Sequence, residues 1–585
     1  MASERFLLAV DFHAPNTSAY LKASHGYYLR EAIKSELASL ATVPQSEIEI
    51  WKPEPPIPFR TVEATLTNAR IADIATKIPF DADIASEIMP SSGGFVDILV
   101  LDRRREPSDP DPEGEDAVSD MIERYNMLRL KAQGSKPPST LAKSTEYRAW
   151  QRGECPIYDG RYHSNTPAAT VGPPVELYYA GFAKFIDDSR PNSPLDIPDI
   201  FVCEVAKFMH AVAGIYKDEP AFSGVVTPLL QGILGKGILR IANSDLTSPD
   251  AAVLSDQLKI LALAEYKREL GEGGCDASTQ ASLSVVRYWT QPENKRVAAL
   301  TCCPTYVVAL GGPWLAVLGA VITSRCIVQR FTDFMWLGPR NALLNDDHVR
   351  QVARVLFALK GAIAASQIFQ DSLPPSPATS DEPLPARFFP HVTSYVGEDG
   401  QEKRFKYVAP LERDPTCVTF HCQTLEDDVD IVVKFVRSYG EVVHRLLGEK
   451  GLAPQLLYCG PINSQASYSG IKMVVMGFVA GKTLSWFQGK RQRLPNHLGD
   501  ELANTLDVLH GAGFVYGDLR GPNIMLTDAS KKVQLVDFDW AGRAGEARYP
   551  ISLSTNVKWP PGSKGLGLIA PEHDMHMLAQ IKKQL

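Results

Sequence analysis

Nine cysteines are spread over 585 residues, an odd number, and no two stand in a CxxC spacing. Cys302 and Cys303 are adjacent, so both cannot easily face one metal. The pattern points to free thiols in a reducing compartment rather than to disulfides or zinc. Long hydrophobic runs are missing too. The amino terminus offers five apolar residues, Phe6 to Val10, before Asp11 stops it, too few for a signal-peptide core. No stretch reaches the roughly 18 apolar residues of a membrane span, so a soluble protein without a membrane partner is expected. Charge of one sign is also absent: 60 basic residues stand against 68 acidic ones, for a formal net charge of −8. That excludes a histone-like coat for polyanions but leaves room for a local basic groove. No internal repeat is found.

What is there reads as ordinary globular protein, with 44% hydrophobic and 22% charged residues. Two stretches cannot offset their ordering entropy by burial. Arg103 to Asp116 contains no apolar residue, and a Ser/Pro/Lys-rich piece follows at Gly134 to Ser144. Asp371 to Pro385 carries five prolines. These cuts predict a module at 1–102, a linker at 103–164, a domain at 165–370, a Pro-rich linker at 371–386 and a last domain at 387–585. The apolar region Thr305 to Thr323, broken by Gly311, Gly312 and Pro313, predicts a buried hairpin.

In the first module the patterns predict strands at Phe6–Val10, Ile48–Trp51 and Val96–Leu101 and an amphipathic helix at Tyr28–Leu40. That order fits a β-grasp, ubiquitin-like fold, and no cluster of site-forming residues appears in it. The segment IEIWKPEPPIP resembles the stretch that closes the ubiquitin-like module at the start of Crinkler effectors, and VDILVLD resembles that module's last strand. The LxLFLAK-type element that leads the Crinkler module is absent.

In the middle region, LKILALAEYK predicts a strand ending in Glu265, Tyr266 and Lys267. Residues two apart on a strand share a face, so Glu265 and Lys267 project together. Ile241 to Asp245 is the expected partner strand, bringing Asp245 to Glu265; Asp256 is the fallback. Two carboxylates and an ammonium form the arrangement that divalent-metal phosphodiester hydrolysis needs. The string AEYKRELGEGGCDASTQ resembles the restriction-endonuclease-like domain of Crinkler-type fungal and oomycete proteins, and CCPTYVVALGGPWLAVLGAV resembles a hairpin of the same proteins. The resemblance implies an α/β PD-(D/E)xK nuclease in which Asp245, Glu265 and Lys267 are catalytic and Asp245 and Glu265 bind Mg²⁺ or Mn²⁺. Glu204, in the helix-like FVCEVAKFMHAV, is the candidate helix carboxylate for that metal. Gln280 is a candidate for positioning substrate, and Glu269 for ligating metal or neutralising Lys267. DNA is the implied substrate, with Lys259, Arg268, Arg287, Lys295 and Arg296 as a candidate phosphate-binding face.

The last region carries LHGAGFVYGDLRGPNIML and then VQLVDFDWAG. These resemble the catalytic loop and metal-binding element of protein kinases. The resemblance implies a bilobal fold with Asp518 as catalytic carboxylate, Asn523 and Asp537 as ligands of Mg²⁺ on ATP, and Lys434 as phosphate contact. Glu441 is the implied helix partner of Lys434, with Glu449 as its rival. The backbone around Met476 to Val479 would meet adenine, and Asp574 would anchor the catalytic loop. Three departures stand out: no GxGxxG precedes Lys434, Tyr516 and Gly517 replace the usual His and Arg, and the metal element ends in Asp539, which offers a second metal contact.

The whole chain is thus expected to be multidomain α+β and to resemble a Crinkler-type nuclease–kinase protein. The implied partners are DNA, ATP and a protein substrate. The implied place of action is a nucleus, its own cell's or a host's after unconventional secretion. The alternatives are a fungal-type Ser/Thr kinase with an inactive, DNA-binding nuclease-like region, and a non-enzymatic pseudokinase scaffold.

Overall fold

Every residue of Ile260–Lys267 is buried, as in a strand covered on both faces, and this strand sets the geometry of the larger sheet in a computed structural model of the chain. The structure describes residues 114–584 except 163–169, 375–381, 413–415, 465, 491, 493, 496, 529–530 and 556. Before them it describes 6–11, 14–22, 33, 37, 48–53, 57–58, 75–77 and 95–102. The fold is mixed α+β with several sheets, divided into two units: residues 1–106 with 118–389, and residues 107–117 with 390–585.

The first unit opens with a five-stranded sheet in the order Ala14–Lys22, Phe6–Asp11, Ile98–Asp102, Ile48–Pro53, Ala75–Lys77. Its first and last strands in sequence, Phe6–Asp11 and Ile98–Asp102, run parallel. Val10, Ile57, Val96 and Leu99 form its core. Most of the helix expected at Tyr28–Leu40 lies outside the described residues. Ile33 and Leu37 are described and buried, and the Leu37 N–H donates to the Ile33 carbonyl at 2.8 Å, one helical turn.

The second sheet runs Ile157–Tyr158, Cys326–Arg330, Trp314–Ile322, Thr305–Gly311, Ile260–Lys267, Ala251–Leu254, Ile238–Leu239. Thr305–Gly311 and Trp314–Ile322 make the expected buried hairpin. Ile260–Lys267 pairs parallel with Thr305–Gly311, a join that needs a crossover, and the helix Ala277–Trp289 supplies it. Asp276 caps that helix by accepting from the Ser278 N–H at 2.7 Å, and Gly271, Gly273 and Gly274 turn the chain into it at positive φ. On the opposite face Tyr266 meets Phe222 of the helix Glu219–Leu234. The helix Asn345–Asp371 packs against Ala180–Ser189 and against Asp199–Val212.

Two expectations about linkers change. Most of 103–164 is structured: the helix Gly114–Gln133 ends on the Arg287 guanidinium, which donates to the carbonyls of Ala132, Gln133, Ser135 and Lys136, and Ile157–Tyr158 joins the sheet edge. The composition hid this because few apolar residues, among them Tyr125, Met127 and Leu128, do the burying. After the second linker, Arg387 is buried, donates to the carbonyls of Thr301 and Ile322, and stacks over Tyr125 and Phe388. The first unit therefore runs on to Phe389.

All nine cysteines are unbridged. Among the described residues one helix, Asn345–Asp371, is long and apolar enough to cross a membrane, and 56% of its most apolar window is buried within the fold. Apolar runs alone do not reveal it, because Arg350, Arg354 and Lys360 interrupt its sequence.

The second unit begins with a six-stranded sheet in the order Ser394–Val396, Glu402–Pro410, Thr419–Thr424, Asp430–Val436, Lys472–Gly477, Leu456–Pro461. The helix Glu441–Glu449 follows the strand that carries Lys434. The remainder combines short strands and loops with helices, of which Leu498–Gly511 and Pro571–Lys582 pack around Leu502, Leu506, Leu519, Leu535 and Phe538.

Candidate functional sites

The first unit holds a carboxylate pair, but not the expected one. The segment 241–245 forms a turn instead of the partner strand. Asp245 is exposed there, caps Thr247 at 3.0 Å and pairs with Arg287 at 3.2 Å. Ala251–Leu254 is the strand that pairs antiparallel with Ile260–Lys267, in a register that sets Ala251 against Ala264. One step further, Asp250 faces Glu265. The Asp250 carboxylate accepts the Tyr266 N–H at 2.8 Å and reaches hydrogen-bonding range of Glu265.

Glu265 is wholly buried. Its two oxygens accept from Gln280 Nε2 and Ser284 Oγ, each at 2.6 Å, from positions one turn apart on the helix Ala277–Trp289. Burial, and then the adjacent Asp250, push the Glu265 carboxyl well above its ordinary value. The Glu265 carboxyl therefore favours its protonated form where a cation would sit. Gln280, the candidate for positioning substrate, is buried.

Lys267 projects on the same face as Glu265. Its ammonium lies 3.5 Å from Glu219 and donates to the Tyr266 carbonyl at 3.0 Å. Burial lowers its pKa, but Glu219, Asp250 and Glu265 outweigh that and the net shift is upward. Glu204 is exposed on its helix; the helix carboxylate that reaches Lys267 is Glu219, at the start of the next one. Glu269 is exposed beyond the strand's end. Arg287 leaves the proposed phosphate-binding face, since its guanidinium is buried on carbonyls, and Lys259 is tied to Glu293 O and Asn294 at 2.8 Å.

No group of three His, Cys, Asp or Glu side chains able to hold a metal is found among the described residues. Asp250 and Glu265 supply two hard carboxylates, a donor set that suits Mg²⁺, which commonly takes one or two from protein and the rest from water and phosphate.

The second unit holds a cleft of about 450 Å³, of small-ligand size. Val432, Lys434, Met476 to Val479, Asn523 and Asp537 line it. Lys434 bridges the carboxylates of Asp537 and Asp539, both at 2.7 Å. Burial raises the Asp537 pKa, but Lys434 outweighs this and holds it below the usual carboxylate range. Burial pushes Asp539 up to about 7. Asp537 sits at φ +64°, a left-handed conformation that aspartate tolerates better than most residues.

Asp518 is nearly buried. It accepts from Arg520 Nε and from Arg520 Nη2 at 2.7 Å, and from Asn523 Nδ2 at 2.9 Å. Burial raises its pKa, with Arg520 opposing. Asp574 accepts the N–H groups of Tyr516 and Gly517, each at 2.8 Å, so it ties down the loop that carries Asp518. Gly517 has φ +86°, and a Cβ there would come within 2.7 Å of Ile569. Glu441 does not meet Lys434. It accepts from Arg445 at 3.1 Å, and Arg445 also holds Glu398 at 2.7 Å.

Asp250, Glu219, Ser284 and Arg520 are site residues that the sequence motifs do not single out. Asp250 had a signal, since it directly precedes the apolar run that mirrors Ile260–Ala264 across a short turn. Glu219 and Ser284 had none, because each is positioned by helix packing.

No protein-family model matches the sequence, and no curated protein matches it. Among solved structures, the kinase PK-1 of the Cydia pomonella granulovirus is similar at 16% identity, over 31% of this chain and 67% of that one. The TM-score is 0.25, too low for the likeness to bear on function.

Proposed function

We propose that the chain is a Crinkler-type protein whose first unit hydrolyses DNA with Mg²⁺ or Mn²⁺ and whose second unit binds ATP. The observation that carries this reading is the strand register that sets Asp250 against Glu265 with Lys267 on the same face. Asp250 and Glu265 would hold the cation. When bound, it polarises the phosphate and lowers the pKa of a water. Lys267 would orient the attacking oxygen and neutralise charge developing on the phosphate. Glu219 holds that ammonium, while Gln280 and Ser284 fix the Glu265 carboxylate. The parallel pairing of the first and last strands of the opening sheet supports a β-grasp module there. DNA as substrate and a nucleus as the place of action rest on the sequence resemblance. The test is purified chain with plasmid DNA and Mg²⁺ or Mn²⁺. Nicking by wild type, lost in Glu265→Ala and Lys267→Ala, supports the reading; equally intact plasmid in all three ends it.

A second reading, an active kinase beside an inactive nuclease-like region, is favoured by the Lys434–Asp537 pair in a nucleotide-sized cleft with Asp518 nearby. Labelled ATP decides it: transfer to protein that Asp518→Ala abolishes supports a kinase, and unchanged transfer removes Asp518 as its base.

A further inference from the structure

We propose that Asp539, rather than a carboxylate of the helix Glu441–Glu449, is the positioning residue that holds Lys434 for the phosphates of a bound nucleotide. The inference rests on the reading of the second unit as a nucleotide binder.

Four observations carry it. Lys434 lies 2.7 Å from Asp539, and its side chain is only 10% exposed. Glu441, the helix acid that sequence offered, is engaged by Arg445 and is 40% exposed. The residue before it cannot serve instead. Gly440 sits against Ala541, and a Cβ there would come within 2.5 Å of the Ala541 carbonyl oxygen. Its N–H donates to the Phe538 carbonyl at 2.9 Å.

The start of the helix is therefore docked by backbone onto 538–541, with no room for a side chain between them. His444, one turn on, stacks on Phe538 with ring centroids 4.4 Å apart and planes 13° from parallel. The helix thus braces the segment that carries Asp539 and supplies no acid itself. The labour divides between two carboxylates. Asp537 lines the cleft and can turn to a cation, whereas Asp539 is not among the cleft-lining residues and can keep its hold on Lys434.

The experiment measures ATP affinity by calorimetry, with and without Mg²⁺, on the full chain and its Asp539→Asn, Asp539→Glu, Glu441→Gln, Lys434→Met and Asp539→Asn/Lys434→Met variants. The expected result is about tenfold weaker binding for Asp539→Asn, roughly 1.4 kcal/mol, with partial recovery in Asp539→Glu. The double variant should bind no more weakly than Lys434→Met alone, because the two residues act as one unit. Glu441→Gln should stay within about twofold of wild type. A denaturation cycle without nucleotide should show the same non-additivity between Lys434 and Asp539, which guards against simple misfolding. Additive losses in both cycles, or a larger loss in Glu441→Gln than in Asp539→Asn, overturn the inference. If ATP binds and Asp539→Asn matches wild type, the inference alone is lost. If wild type binds no ATP, the nucleotide reading falls and the inference with it.

Discussion

Lys267 and Lys434 are almost equally buried, with side chains 11% and 10% exposed, yet they stand in opposite relations to the acids beside them. In the first unit the buried acid, Glu265, takes its hydrogen bonds from neutral Gln280 and Ser284, and Lys267 leans outward to a half-exposed Glu219. In the second unit Lys434 itself satisfies both acids. Glu265 therefore favours its protonated form, and a divalent cation can displace that proton. In the Asp537–Asp539 pair, any cation must compete with an ammonium already in place. The first arrangement suits a site built around a metal. The second suits one in which the lysine is itself a ligand-binding group.

The largest expected effect tests which acid completes the first site. Asp250→Asn should lower Mg²⁺-dependent DNA cleavage at least about a hundredfold, as loss of a metal-holding carboxylate does. Asp245→Asn should leave it within about twofold, because that side chain caps a turn and pairs with Arg287. Equal losses in the two variants would break the assignment, and gel assays of plasmid nicking read it directly.

Next comes the proton. A carboxyl whose pKa is raised by folding stabilises the fold fully below its unfolded value and loses that contribution as pH rises toward the folded value. Wild type should therefore lose stability relative to Glu265→Gln as pH climbs above 4.5, the ordinary value for this glutamate, by at most about 1.4 kcal/mol per pH unit. Urea denaturation from pH 4 to pH 8 measures the gap. Mg²⁺ at pH 8 should narrow it by stabilising wild type alone. A gap that stays flat with pH would mean that the fold does not raise the Glu265 carboxyl.

The lysines themselves come third. Lys434→Met leaves two carboxylates, each about a third exposed, without their counter-charge, and should cost the second unit about 1–2 kcal/mol. Lys267→Met should cost less than about 1 kcal/mol, since its ion partner Glu219 is 41% exposed and Glu265 keeps both neutral donors. Denaturant midpoints of the two variants give the order, and a larger loss for Lys267→Met would reverse the comparison.

How far the sequence could be read follows from the same contrast. Glu265 and Lys267 were legible because strand alternation fixes their common face whatever the rest of the chain does. The loop from Asp518 to Asn523 and the acid Asp537 were legible because their spacing is local. Asp574 was legible by resemblance, and its two backbone hydrogen bonds agree with the anchoring role. Asp245 was misplaced because the partner strand was set too early. The register is fixed by the turn Ser255–Lys259, where the Ser255 N–H bonds the Lys259 carbonyl at 2.7 Å, and Asp250 follows from it. Glu441 was misassigned because sequence gives no sign that Gly440 docks against Ala541 and leaves the helix acid facing Arg445.

The smallest effect is the one that most sharply separates the two candidate partners of Lys434. Glu441→Gln removes an ion pair whose members are 37% and 40% exposed, four residues apart on one helix. Such a pair is worth about 0.3–0.5 kcal/mol and is screened by salt. The variant should lose no more than that in urea denaturation at low salt, and the difference should vanish in concentrated salt. If Glu441 instead paired with Lys434 in a substantial part of the population, a buried cation would lose a partner. The loss would then exceed about 1 kcal/mol and persist in salt, because buried pairs are screened far less.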